Sequence, residues 1–198
     1  MIVILNGSPI EDGNSAFICN SAKEIIKSSE EEAEVIYVTE LLRTMDMPFC
    51  TACTTPCAMI CEQKYPKLKE ALDLLRNCKG VIVISPVYFG TVTGEIKAFW
   101  DLTRHLRNEK ALYNKAAGAV AIGASRFGGQ ETTIRTIHDM MLIQGMTIVG
   151  GSFEDGMGHY GASFQKPAKS DEEGIKSLIK LCKRVCSVGG KLTESGGE

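Results

Sequence analysis

Three short apolar runs, each halted by a loop of small and polar residues, constrain this chain more than anything else in it. Ile2-Val3-Ile4-Leu5 stops at Asn6-Gly7, Val81-Ile82-Val83-Ile84 stops at Ser85-Pro86, and the run 116–122 stops at Gly123. An apolar run without polar alternation reads as a strand covered on both faces, the condition of a parallel sheet. Val35-Ile36-Tyr37-Val38 and the run 146–149 supply a second and a fifth strand. Helical periodicity fills the gaps. Ile18, Ala22, Ile25 and Ile26 share a face after Ser15, which can serve as an N-cap, and a short helical piece surrounds Leu41-Leu42. Leu68, Leu72 and Leu75 mark the next helix; Ile96, Phe99 and Trp100, then Ile134, Ile137 and Met141, then Ile175, Leu178, Ile179 and Cys182 mark three more. Five strands alternating with helices imply right-handed βαβ units and an α/β fold with a doubly wound five-stranded parallel sheet. Pro86 should end the third strand, because proline cannot continue a central strand. The stretch 150–169 reads as a long glycine-rich loop, and the tail from Gly189 as mobile. A single domain over 1–188 with a flexible tail over 189–198 is therefore expected, with no repeat and no second domain.

A chain of 198 residues with 44% hydrophobic residues can build a proper core without staples. Net charge of −2 gives no reason to expect nucleic acid or an anionic membrane as partner. The start, Met1 to Pro9, lacks a basic region or a long apolar stretch, and no run approaches the ~20 residues that span a bilayer. A cytoplasmic protein is expected. In that reducing setting, clustered cysteines favour metal or redox chemistry over structural disulfides.

Half of the eight cysteines fall in one stretch: Cys50, Cys53, Cys57 and Cys61, spaced C-x2-C-x3-C-x3-C. Four thiolates so close together hold a [4Fe-4S] cluster, zinc or nothing. A cubane, with iron atoms on four sides, suits a compact loop; a single zinc wants tighter convergence. Thr51, Thr54 and Thr55 stand where their hydroxyls could bond the sulfurs. Cys19, Cys78, Cys182 and Cys186 read as packing residues. His105 and His138 lie on helices as surface or satisfied groups, while His159 sits in the glycine-rich loop beside Tyr160.

In an open parallel sheet, ligands bind beyond the carboxyl ends of the strands, where strand order reverses. The loop after the first strand offers the hydroxyls of Ser8 and Ser15, backbone amides and a helix N-terminus, which together suit a phosphate. Neither a P-loop nor G-x-G-x-x-G is present, and an ordinary strand-to-helix turn is the plain alternative. The third loop, Pro86-Val87-Tyr88-Phe89-Gly90, puts two aromatics at a tip, suited either to a flat ring or to covering the neighbouring helix. The fourth, Ala124-Ser125-Arg126-Phe127-Gly128-Gly129-Gln130, again joins polar groups, glycines and an aromatic. Taken together they suit a ligand with a phosphate end, a sugar-alcohol middle and a flat ring. No Ser-His-Asp or Cys-His pair demands a nucleophilic role.

Asn6-Gly7-Ser8-Pro9 with Gly13-Asn14-Ser15, and Ser85 to Gly90 followed by Gly94-Glu95-Ile96-Lys97-Ala98-Phe99-Trp100-Asp101, resemble the flavodoxin-like NAD(P)H-dependent FMN reductases. Gly128-Gly129-Gln130-Glu131-Thr132, Gln144-Gly145-Met146 and Tyr160-Gly161-Ala162 are similar to the quinone-reductase branch of that superfamily. With the compact four-cysteine motif between the second and third strands, the chain looks most like the iron–sulfur flavoproteins. The resemblance covers roughly residues 1–162 and implies a flavodoxin-like sheet of order 2-1-3-4-5 with the cysteine-rich loop inserted between strands 2 and 3. It implies that Ser8, Asn14 and Ser15 hold the FMN phosphate. It places Pro86, Val87, Tyr88, Phe89 and Gly90 on the isoalloxazine, and Ser125, Arg126, Phe127, Gly128 and Gly129 along the ribityl chain and ring. Tyr160 would reach the flavin of a neighbouring subunit in a homodimer or homotetramer. Cys50, Cys53, Cys57 and Cys61 would ligate [4Fe-4S], although the usual family spacing, C-x2-C-x2-C and then a longer gap, is altered here by one extra residue before Cys57. The implied activity is FMN-dependent electron transfer with no catalytic side chain, and NAD(P)H, a quinone or a ferredoxin-like protein as partner. A cluster-free NAD(P)H-dependent FMN or quinone reductase, and a flavodoxin-like carrier without enzymatic activity, are the alternatives. The near-neutral charge weighs against the carrier. No arginine cluster chooses NADPH over NADH.

Overall fold

A computed structural model describes residues 1–151 and 160–195. Strands β1 (Ile2–Asn6), β2 (Ala33–Tyr37), β3 (Gly80–Pro86), β4 (Ala116–Gly123) and β5 (Thr147–Ile148) form a parallel sheet of order β2-β1-β3-β4-β5. Every residue of β1, β3 and β4 is buried, as their unbroken apolar character requires. Successive side chains leave a strand on opposite faces, so each strand feeds two cores. Val3, Leu5, Val81, Val83, Ala117 and Ala119 meet one set of helices: α2 (Val38–Leu42), α4 (Pro66–Asn77), α5 (Gly94–Leu102) and α7 (Gln130–Ile143). Ile2, Ile4, Ile82, Ile84, Val120 and Ile122 meet α1 (Asn14–Lys27) and α8 (Glu172–Ser195) on the other face. Each fully buried Ile, Leu or Val contributes about 1.5–3 kcal/mol relative to exposure.

The helix after β1 covers one face and the helix after β3 covers the other. These adjacent strands therefore form the point where the winding reverses, and the loops at their carboxyl ends open a crevice. The short helices α3 (Ile60–Lys64) and α6 (Arg104–Asn108) complete the side that carries α4 and α5. The cysteine segment lies between β2 and β3, as expected; Cys50, Cys53 and Cys57 stand between α2 and α3, and Cys61 lies in α3.

Three boundaries differ from the sequence reading. Pro86 lies inside β3 as its last residue, paired with Ile122. The ladder to β1 has already ended at the Asn6–Ile84 pair, so at Pro86 the strand has a partner on one side only and a missing N–H costs little. The stretch 150–169 is not all loop: Ala162–Gln165 form β6, parallel to β4 and paired with 120–123, while β5 pairs with Ala116 and Ala117. The fifth position in the sheet is thus shared by two segments. Finally, α8 runs through Gly189 and Gly190 to Ser195, where a flexible tail was expected. Gly189 lies so close to β3's entry that an added Cβ would stand 3.0 Å from the Lys79 carbonyl oxygen.

Candidate functional site

The loop after β1 is fixed from three directions. The Gly7 amide donates to the Ile84 carbonyl at 2.8 Å, and Asn6 Oδ1 accepts from the Ser8 amide at 3.0 Å. Thr93 Oγ1, fully buried, donates to the Gly7 carbonyl at 2.7 Å and accepts from the Ile96 amide at 3.3 Å as the N-cap of α5. One hydroxyl therefore locks the first loop to the third. Ser8 Oγ is turned inward on its own loop, accepting from the Ile10 amide at 3.1 Å. Ser15 is buried at the start of α1, and Asn14 Oδ1 accepts from the Ala168 amide at 2.7 Å. The N-cap of α1 is Gly13, which supplies no side-chain acceptor, so no side chain caps the first-turn amides of a 14-residue helix. That leaves a helix N-terminus suited to an anion.

After β3 the chain makes a tight turn. The Tyr88 amide donates to the Thr91 carbonyl at 2.9 Å and the Thr91 amide donates back at 3.1 Å. Phe89 and Gly90 between them both have positive φ, 48° and 81°, the signature of a type I′ turn. Phe89 is no glycine, so its backbone is strained, and the result is a ring held fully out of the protein. An added Cβ at Gly90 would meet nothing within 4 Å, so the turn borders open space.

After β4, the buried side chain of Gln130 organises the loop. Its Oε1 accepts from the Gly128 amide at 2.8 Å, and its Nε2 donates to the Ser125 carbonyl at 2.6 Å and the Phe164 carbonyl at 2.9 Å. One amide thus fastens the loop to itself and to β6. Gly129, at φ 91°, comes so near the third loop that a Cβ there would lie 3.1 Å from Val87 and 3.4 Å from Gly90. Phe127, like Phe89, stands out in solvent. Arg126 is ion-paired with Glu173 on α8, so its charge is engaged. Tyr160, half exposed, lies with its ring centroid 5.2 Å from the Arg135 guanidinium. It shares a cavity of 350 Å³ with Gln130 and Phe164. His159 lies outside the described residues. Ser8 thus lies on the loop after β1, Asn14 and Ser15 in the first turn of α1, Pro86 at the end of β3, and Val87 to Gly90 and Ser125 to Gly129 on the loops after β3 and β4. Thr93 and Gln130, which tie those loops together, were not singled out from sequence.

The cysteine segment runs along α5 and α6. Cys50 and Cys61 are half-buried against the core, Cys57 is half-buried, and Cys53 is exposed; all four are free thiols. Burial pushes the Cys61 thiol up and the nearby sulfurs of Cys57 and Cys50 add to this, while the Glu62 amide opposes it. Among the described residues, no three His, Cys, Asp or Glu side chains gather closely enough to hold one metal ion. Two of the three threonines expected to bond the sulfurs bond elsewhere. Thr54 Oγ1 accepts from the Ala58 amide at 2.8 Å, and Thr55 Oγ1 accepts from Arg104 Nη2 at 3.3 Å. The Thr54 carbonyl accepts from Arg104 Nη1 at 3.2 Å. Behind Cys61, the Glu62 carboxylate takes a two-pronged bond from Arg76 at 2.8 and 2.9 Å and lies 2.7 Å from His105 Nε2. His105 is therefore buried in an ion network, satisfied at Nε2 and, among the described residues, without a partner at Nδ1. Of the other thiols, burial pushes Cys19 up to about 12 and raises Cys78, Cys182 and Cys186, which makes all four inert packing groups.

The sequence pattern described as NADPH-dependent FMN reductase matches residues 1–159. An iron–sulfur flavoprotein of Methanocaldococcus jannaschii is 35% identical over 196 residues, covering 94% of this chain and 96% of its own length. An iron–sulfur flavoprotein of Methanosarcina thermophila is 31% identical over 185 residues, covering 93% of this chain and 92% of its own. Among solved structures, that of an NADH:FMN oxidoreductase in its apo form superposes with a TM-score of 0.65 at 23% identity, over 98% of this chain and 88% of the other. At that identity the likeness is one of fold.

Proposed function

The chain belongs to the NADPH-dependent FMN reductase family, with iron–sulfur flavoproteins among its relatives, and from that premise we propose that it is an FMN oxidoreductase whose cysteine loop carries a [4Fe-4S] cluster. The observation that carries the reading is the convergence of three loops. They bring together an uncapped helix N-terminus, two exposed aromatic tips and the close approach of Gly129 to Val87 and Gly90. The residues fit the group. The first-turn amides of α1, beside Ser8 and Ser15, hold the FMN phosphate without a charged side chain, which suits a cofactor retained between turnovers. The β3 turn offers Tyr88, Phe89 and the open space at Gly90 to the isoalloxazine. The β4 loop, held by Gln130, presents Ser125 to Gly129 to the ribityl chain. Bound FMN would supply the redox chemistry. The protein's own contribution would be to bind and orient it with residues of the three loops. No side chain need act as a nucleophile. Tyr160, exposed beside the β4 loop, is proposed to meet the flavin of a second subunit in a homodimer or homotetramer.

The donor set of the cysteine loop fits a cluster: four free thiols on one segment. A single zinc ion requires its sulfurs at about 2.3 Å from one centre, whereas a cubane spreads its ligands over four iron atoms. Four cysteines strung along one compact segment suit the second, as do the iron–sulfur flavoproteins among the relatives. A second reading is a cluster-free NAD(P)H-dependent reductase.

Anaerobic purification followed by ultraviolet–visible spectra, iron and acid-labile sulfide analysis and NADH or NADPH oxidation assays tests both parts. Flavin bands with a broad shoulder beyond them, iron and sulfide in equal amounts, and nucleotide oxidation are expected. Flavin bands and nucleotide oxidation without iron support the second reading. A colourless protein that takes up no FMN overturns the proposal.

A further inference from the structure

We infer that Arg104 is the positioning residue of the cysteine loop, holding the span between Cys53 and Cys57 and placing its positive charge beside whatever the thiols bind. Arg104 opens α6, and its guanidinium reaches out of that helix as a fork. Nη1 donates to the Thr54 carbonyl at 3.2 Å, and Nη2 donates to Thr55 Oγ1 at 3.3 Å. These are the two residues that follow Cys53, in the interval where the spacing carries its extra residue. The fork stands on a rigid base. Thr103, just before it, is fully buried; its hydroxyl donates to the Trp100 carbonyl at 2.7 Å and accepts from Gln144 Nε2 at 2.8 Å. The Trp100 indole in turn donates to the Met140 carbonyl at 3.0 Å, which ties α5 to α7. Arg104 also lines a cavity of 290 Å³ with Cys50 on its wall, so it stands beside the start of the loop as well as its middle.

Its charge is not spent on a carboxylate. The neighbouring Asp101 is bound by Lys97 at 2.7 Å, and Arg107 donates to the Ile143 carbonyl. Among the described residues, no acidic group pairs with Arg104. A guanidinium fork matches a carbonyl and a hydroxyl at fixed spacing, which a lysine ammonium cannot do. A cation beside four thiolates favours the more negative, reduced state of a cluster they hold and so raises its potential. Fork and charge are therefore separable roles of one side chain.

The charge role rests on the proposed cluster; the anchoring role does not. Full-length wild type, Arg104→Gln and Arg104→Lys are compared in two ways. Hydrogen exchange on chelator-treated protein follows peptides covering 50–61. Loss of the fork is expected to speed exchange at the Ala52 and Ala58 amides about tenfold in both variants, with β1, β3 and β4 unchanged. Redox titration of the iron-loaded protein is expected to give a lower midpoint potential in Arg104→Gln and a near wild-type value in Arg104→Lys. Wild-type exchange in both variants overturns the anchor. A loaded Arg104→Gln protein with an unchanged potential overturns the charge role. If wild type holds no iron or sulfide, the cluster reading fails by itself and the exchange arm still decides the anchor. Should Arg104→Gln fail to fold, Thr55→Val removes one prong from the loop side and must speed exchange at Ala58.

Discussion

Phe89 shows how much a single residue is asked to do. Its φ of 48° is uncommon for a bulky side chain and costs on the order of 1–2 kcal/mol, yet its ring touches nothing in the protein that would offset the cost. Asparagine accepts this backbone conformation readily. Phe89→Asn is expected to stabilise the cofactor-free protein by about 1 kcal/mol, read from denaturant midpoints, while FMN affinity falls in a fluorescence titration. A variant that gained both stability and affinity would contradict the role given to this ring. The sequence placed Tyr88 and Phe89 at an exposed tip correctly, because two aromatics after a buried strand have few other places to go. It did not reveal Thr93, Gln130 or Arg104. Their bonds reach carbonyls 86, 34 and 50 positions away, and no local pattern encodes a partner that distant.

At the level of elements, the strands were legible in proportion to their burial. β1, β3 and β4 are covered on both faces and read as unbroken apolar runs, while β6 does not stand out in the sequence. Ala162-Ser163-Phe164-Gln165 is a four-residue edge segment with alternate residues out, and it follows a glycine-rich stretch that reads as loop. Glycine also misleads at 189–190, where Gly189 and Gly190 lie within α8. Gly161 is there for contact: a Cβ would lie 2.2 Å from the Ala119 carbonyl oxygen of β4, a backbone atom that cannot yield. Gly161→Ala should therefore pry β6 from β4 and cost about 3 kcal/mol. Gly94→Ala, where a Cβ meets nothing within 4 Å, should change stability by no more than about 0.5 kcal/mol. Thermal unfolding of the two variants side by side checks the contrast.

Across the whole molecule, two carboxylates tie distant parts of the chain and set its response to acid. Arg76 holds the Glu62 carboxyl below the usual carboxylate range, joining the cysteine segment to α4, and burial opposes the shift. Lys79, with help from the N-terminal amine, does the same for Glu31 beside β3. A carboxyl with a depressed folded pKa contributes stability that is full above its unfolded value and is lost as pH falls through its folded value. Denaturant midpoints should thus hold from neutrality to about pH 5 and drop below about 4.5. Glu62→Gln should cost about 2 kcal/mol at neutral pH and flatten that acid limb. Another long tie, from Asn14 Oδ1 to the Ala168 amide, spans most of the sequence, and behind it α8 packs on Ile18 and Ala22. The first turn of α1, where we place the FMN phosphate, is thus latched to a segment 154 positions away in the chain. Opening that latch would loosen the proposed cradle at a distance from the sheet, so FMN binding should slow hydrogen exchange at the Ala168 amide.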